Sequence, residues 1–271
     1  MISQDGGVSP FAGSEVWLAD LAAAAPALDE IEAETPRLCD DDLAKWSGIA
    51  GPVAQRERRA AHIALRIAIE RAFGPDWRGV SYAVSKSGKP SLGGGSPGAF
   101  SLAHVSGLAL IGITSRGTIG VDLERLRPLN MSDDRRRRIV EAAAALVPAR
   151  PLPAEGKAQF LQAWARLEAL AKARGSGIGV VLTELGVLGG ALGRDLSGAA
   201  GGVEDAPRMF RAPLLRAQPH DLVVGDLDAG AGLFAAVAFS AGSQVPELRP
   251  FPAGAGGIRH FTRLAASSHG C

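Results

Sequence analysis

Four side chains in two short stretches could do chemistry together. In "TIGVDLERL", Asp122 and Glu124 stand two residues apart, and in "QFLQAWARLEALAKARGSG", Glu168 and Lys172 stand four apart. In an extended strand the first pair projects from one face, leaving Val121, Leu123 and Leu126 to fill the core side. Two carboxylates forced side by side repel unless a cation lies between them. A hard divalent ion such as Mg2+ meets that need through carboxylate oxygens, water and substrate phosphates. In a helix, at about 100° per residue, Phe160, Trp164, Leu167 and Ala171 form one apolar stripe, with Glu168 and Lys172 at its edge. A carboxylate and an ammonium one turn apart on that edge sit where core meets cleft. Each feature also has a plain reading: the strand pair as a solvated edge, the helix pair as a surface ion pair worth about 0.2–0.5 kcal/mol.

The elements that must position these groups have their own signals. Pro52 to Phe73 has helical periodicity in Ile63, Ile67 and Phe73, arginines on the other face, and Gly74 as a C-cap. "RGVSYAVS" alternates like a strand, "KSGKPSLGGGSPG" is turn-rich, and "AFSLAHVSGLALIGITSRGTIGVDLERL" reads as two or three strands joined by glycine turns. "NMSDDRRRRIVEAAAALVP" predicts a helix capped by Ser132, with two aspartates in its first turn, running to Pro148. The helix bearing Glu168 follows, and then further strand-like segments. A faint repeat pairs "GLALIGITS" (107–115) with "GLFAAVAFS" (232–240), each downstream of a basic helix that ends in glycine. These signals predict an α+β chain of two halves, residues 14–117 and 118–242, the second carrying the metal site. Before the first half lie a dozen Gly/Ser-rich residues, and the stretch 243–271 reads as a loosely ordered tail.

Composition narrows the classes. The chain has 271 residues and a formal charge of +1, which excludes a wholesale nucleic-acid binder. Its two cysteines, Cys39 and Cys271, form no CxxC and no Cys/His cluster, as expected in a reducing cytosol. The opening "MISQDGGVSPFAG" lacks the basic and apolar regions of a secretory signal. The apolar stretch "GIGVVLTELGVLGGALG" is broken by Glu184 and by glycine and does not suit a membrane span. A soluble, cytoplasmic protein is expected. The basic run Arg135 to Arg138 is either a docking surface for an acidic partner or a solvated face balancing Asp133 and Asp134.

The order of motifs is more specific than any one of them. GKP at Gly88 to Pro90 is followed by the strand "FSLAHVSG" with His104. G-V-D-L-E comes next, then W-x-x-x-E-x-x-x-K-x-x-G-x-G from Trp164 to Gly177. In this order the chain resembles the Sfp-type 4'-phosphopantetheinyl transferases over roughly Pro52 to Gly177, with "GLFAAVAFS" similar to the family's closing strand. The resemblance implies two similar α+β subdomains related by a pseudo-two-fold axis, a monomer, Mg2+, and coenzyme A as co-substrate. The implied reaction is transfer of the 4'-phosphopantetheine arm to a serine of an apo acyl or peptidyl carrier protein.

It also implies roles residue by residue. Asp122, Glu124 and Glu168 would ligate the metal, with Glu168 alternatively the base, and Lys172 would meet the phosphates. His104 would contact the coenzyme A pyrophosphate, and Lys89 would lie near the cofactor. Arg56, Arg58 and Arg59 are candidates for its 3'-phosphate, and Arg66 matches a recurring helical arginine or else lies on a solvated basic face. The chain departs from the family at Leu167, where a lysine is usual. Leu167 belongs to the apolar arc, and Arg166 points about 100° away from it. Ser101, Ala103 and Val105 flank His104 where the family is more polar. Two other classes use the same residues: a Mg2+-dependent phosphohydrolase, and a non-catalytic relative that binds coenzyme A or a carrier.

Overall fold

The computed structural model describes residues 13–44, 51–93, 96–154, 156–188, 222–242 and 244–263. The opening dozen residues, Glu155 and Cys271 lie outside them. The chain is a mixed α+β protein in which two sheets pack face to face, each backed by helices on its outer side.

The first sheet is built from β1 (Ser14–Asp20), β4 (Ala99–Val105), β5 (Leu108–Thr114) and β9 (Leu248–Pro250), in the order β4-β5-β1-β9. β2 (Ala83–Val84) and β3 (Pro90–Ser91) form a small separate hairpin. The second sheet contains β6 (Ile119–Arg125), β7 (Leu222–Leu227) and β8 (Leu233–Ser240), in the order β6-β8-β7. Alternation along the strands sorts side chains to the two faces. From β5, Ala109, Ile111 and Ile113 face α1 (Leu21–Glu34) and α3 (Pro52–Phe73), while Leu110 points into the layer between the sheets. From β8, Ala235, Val237 and Phe239 fill that layer, and Ala236 and Ala238 face α5 (Gly156–Arg174). Both strands are therefore covered on both faces, which is why "LALIGIT" and "FAAVAF" read as unbroken apolar runs.

Small residues set how closely the layers approach. A Cβ on Gly112 would lie 2.7 Å from Val121 Cγ1, so glycine lets β6 nest against β5. A polar bond links the two sheets, Val121 N–H donating to Ser101 Oγ at 3.1 Å.

The helix predicted from Pro52 to Phe73 has those bounds, and Gly74 ends it at φ 97°, its N–H bonded to Glu70 O. Its arginines do not all lie on a solvated face. Arg66 is 2% exposed and donates to Asp42 Oδ2 from Nε at 2.9 Å and Nη2 at 2.6 Å, with its guanidinium over the Tyr82 ring. Asp42 belongs to α2 (Asp40–Ala44). α4 (Asp133–Ala144) starts after Ser132, whose side chain makes no capping bond, and it ends before Pro148. Leu126 lies past the end of β6 and is exposed, so it does not fill the core side.

Two segments differ from the sequence reading. The run directly after α5, for which the sequence reading named no helix, forms α6 (Ile178–Glu184) ahead of the expected strands, because Gly175 in the left-handed region at φ 65° ends α5 and lets Val181 and Leu182 turn into the core. The stretch expected as a loose tail supplies β9, parallel to β1, and α7 (Ala255–Arg263). Phe251 and Ile258 are buried, Phe261 packs at 5.4 Å on Trp17, and Arg259 pairs with Glu30 and Glu34 of α1. Among the described residues no helix is long and apolar enough to cross a membrane.

Candidate active site

β6 and α5 together carry the residues that the motifs single out, and a glycine brings the two elements together. A Cβ on Gly120 would lie 2.2 Å from Ala169 O and 2.3 Å from Ala173 N, so only glycine lets the α5 backbone settle on this face of β6. Asp122, two residues further along the same face, then meets α5 directly: Lys172 Nζ donates to Asp122 Oδ1 at 2.7 Å. Asp122 is 7% exposed and its Oδ2 is buried with no hydrogen-bond partner. Burial pushes the Asp122 carboxyl above the usual range and the negative charge of Glu124 adds to this, while Lys172 pulls the other way.

Glu168 is half-buried one turn before Lys172. Burial raises its pKa first, the charges of Asp122 and Glu124 raise it further, and Lys172 opposes them. Asp122, Glu124, Glu168 and Lys172 thus share one electrostatic neighbourhood. Leu167 is fully buried, Phe160 and Trp164 stack at 5.9 Å, and the apolar stripe anchors α5 as its periodicity predicts.

The expected metal ligands are not gathered into a metal-holding group, and no cluster of three or more His, Cys, Asp and Glu side chains is, among the described residues. The reason is local charge pairing: Lys172 sits on Asp122, and Arg127 forks onto both carboxylate oxygens of Glu124 at 3.2 and 3.3 Å. The donors nonetheless fit a hard divalent cation in chemistry. All are carboxylate oxygens, and the orphaned Oδ2 of Asp122 is the kind of buried acceptor that a cation satisfies.

Two cavities flank this centre. One, of about 340 Å³, is lined by His62, Tyr82, Lys89, Ser101, Lys172 and Ser176 among others. The second, of about 560 Å³, is lined by Glu57, Arg58 and His104 at the start of α3. Partial burial lowers the His104 pKa, and the positive charges of Arg58, His62 and Lys172 add to this against Glu57. Arg58 and His104 thus line one cavity, and His62, Lys89 and Lys172 line the other.

The three candidate arginines separate here: Arg58 stands by His104, Arg59 pairs with Asp29 of α1, and Arg56 is exposed. Lys89 lines the first cavity, but its ammonium is engaged by protein, donating to Ala173 O and Thr118 Oγ1, each at 2.8 Å. Burial lowers its pKa to about 8. Sequence reasoning missed His62, which lies 3.6 Å from Asp42 through Nδ1. Its signal was legible in the spacing of Arg58, His62 and Arg66, each one helical turn from the next. Arg136 pairs with Asp133, and Arg137 and Arg138 pair with Asp134, so much of the basic run is neutralised on its own helix.

No family model matches the chain. It is 32% identical over 125 residues to the 4'-phosphopantetheinyl transferase AcpT of Salmonella typhimurium, which covers 45% of this chain and 62% of that protein. To the AcpT of Salmonella typhi it is 31% identical over 125 residues, with the same coverage. The chain thus spans 62% of the length of each of these curated relatives.

Proposed function

We propose that this chain, which is related to the 4'-phosphopantetheinyl transferases, moves the phosphopantetheine arm of coenzyme A onto a serine hydroxyl of an apo acyl or peptidyl carrier protein. The observation that carries this reading is the Lys172–Asp122 pair at 2.7 Å, beside an unpartnered carboxylate oxygen, with Lys172 on the wall of a cavity. The serine oxygen bonds to phosphorus, the pyrophosphate P–O bond breaks, and 3',5'-ADP departs. Mg2+ held by Asp122 with Glu124 would supply positive charge to the pyrophosphate oxygens, leaving Glu168 off the metal to act as the base. Lys172 meets the phosphates, and His104 and Arg58 receive the remaining negative charge of coenzyme A, Arg58 at the 3'-phosphate. Glu168 takes the serine proton. The same reading takes the two helix-backed sheets as halves related by a pseudo-two-fold axis. Its support is that β5 and β8, the two strands of similar sequence, are each interior to a sheet and backed by a helix that ends in glycine.

Incubation with coenzyme A, Mg2+ and a panel of apo carrier proteins, read by intact mass, tests the reading. A phosphopantetheine-sized gain on a carrier, abolished by EDTA, is the expected result. Coenzyme A binding without any gain would make the chain a non-catalytic relative. Phosphate-ester hydrolysis with no carrier would make it a phosphohydrolase.

The raised pKa of Glu168 gives this reading a pH signature. A general base works deprotonated, so kcat/KM falls as pH drops through that pKa. The acid limb is expected above the ~4.3 of an ordinary glutamate. Glu168→Gln should remove the limb and lower the rate by roughly 10²–10⁴-fold. An unchanged limb in that variant would assign the proton to another group.

A further inference from the structure

The turn between β2 and β3 reaches across the molecule to the end of α5, and its lysine is engaged there. Lys89 Nζ donates to Ala173 O at 2.8 Å and to Thr118 Oγ1 at 2.8 Å, and Thr118 Oγ1 itself donates to Ala173 O at 2.6 Å. Ser87 Oγ donates to Gly175 O, and a Cβ on Gly175 would meet Lys89 Cδ at 3.0 Å. The turn is pinned internally as well, because Ser85 and Lys89 are bonded N–H to carbonyl and Lys89 N also donates to Ser85 Oγ at 3.0 Å. The last carbonyls of a helix have no partner within it, and a cation at that end is favoured by the helix dipole. Ala173 directly follows Lys172 and lies five residues beyond Glu168.

We infer that Lys89 is a positioning residue, whose ammonium clamps the carboxyl end of α5 to Thr118 at the foot of β6 and so holds Lys172 in place. The low pKa of Lys89 agrees with an ammonium taken out of water to serve this joint. The role assigned to Lys172 rests on the function proposed above, whereas the clamp itself does not.

Amide hydrogen exchange on the full chain, without ligand, tests the clamp. The reporters are Gly175 N–H, bonded to Lys172 O at 3.2 Å, and Ser176 N–H, bonded to Ala171 O at 3.0 Å. Lys89→Met, which keeps the stem and loses the ammonium, should raise exchange at both by at least tenfold, and Thr118→Val should do the same without touching Lys89. Thr118→Ser, which keeps the hydroxyl, should restore protection. In transfer kinetics Lys89→Met should lower kcat by roughly 10- to 100-fold, the scale of a misplaced catalytic group, with KM for coenzyme A within about twofold. Unchanged exchange at both amides in Lys89→Met, or a rise in KM larger than the fall in kcat, overturns the inference, the latter by making Lys89 a direct ligand contact. If the wild-type chain transfers nothing to any carrier, the function fails while the exchange measurement still decides the clamp.

Discussion

Asp122→Asn is expected to lower transfer to a carrier protein by about 10³-fold while leaving the melting temperature unchanged or slightly raised. The two halves of that expectation have one cause. Asp122 is 7% exposed, one of its oxygens has no partner, and burial raises its pKa. A carboxyl whose folded pKa lies above its unfolded one opposes folding once pH exceeds the unfolded value, because the native state must then hold a charge that its surroundings disfavour. At neutral pH an amide of the same shape relieves that cost. It still leaves Lys172 in place, one-third exposed and able to reach water. What the amide lacks is the charge to hold a divalent cation and to orient the lysine toward a phosphate.

Mass gain of the carrier over time, thermal melting, and calorimetric titration with Mg2+ check the prediction together. Loss of both activity and stability would make Asp122 a structural residue. Retained activity would move the chemistry away from β6 altogether. The expected pattern, lost turnover and lost Mg2+ binding in a fully folded protein, is one that a solvated edge cannot produce.

Periodicity made the positioning elements legible. α3 and the strands β4 to β6 follow from a 3.6-residue or two-residue repeat, each bounded by glycine, and the approach of Asp122 to α5 depends on Gly120, already visible as the glycine of "IGVDLE". What sequence could not supply was partnership across long separations. Lys89 in a turn gave no hint of Ala173, 84 residues on. α7 was hidden by the prolines and glycines around it, although Ile258 and Phe261 have helical spacing, because the groups they pack on, Trp17, α1 and Arg71 of α3, lie far back along the chain. α6 carries no clear helical signal because its β-branched residues favour extended structure, a preference that packing against α5 overrides. The carboxylates raise a different matter: a strand's alternation places Asp122 and Glu124 on one face, but whether lysine, arginine or metal answers their repulsion depends on groups far along the chain.

Arg166 is the strongest instance of such a hidden partner, and its removal should cost more stability than other single changes near the site. Helical phase correctly turned it away from the cleft, and its side chain proves fully buried on the far side of α5. There Nε and Nη2 fork onto both oxygens of Asp226 in β7 at 2.7 Å, Nη2 also donates to Arg150 O, and Nη1 donates to Ala143 O of α4. Gln162, one turn earlier, donates to the same Asp226 at 2.8 Å and to Ala235 O of β8 at 3.0 Å. The cluster fixes the rotation of α5 from behind, and with it the direction in which Glu168 and Lys172 point. Arg166→Met would leave the Asp226 carboxylate buried with only Gln162 and Arg150, the latter 3.7 Å away and more than half exposed. Breaking one side of a buried pair costs about 3–5 kcal/mol. At a few degrees per kcal/mol for a chain of this size, the melting temperature should fall by roughly 10 °C. Replacing both partners, Arg166→Met with Asp226→Leu, removes the stranded charge and should recover most of the loss, which a double-mutant cycle on thermal unfolding measures directly. An additive cycle, with the double variant no more stable than the sum of its parts predicts, would mean that Arg166 and Asp226 are not coupled and that no stranded charge accounts for the loss. In the recovered double variant transfer should remain below wild type, because apolar packing restores the stability of the helix without the paired forks that fix its rotation.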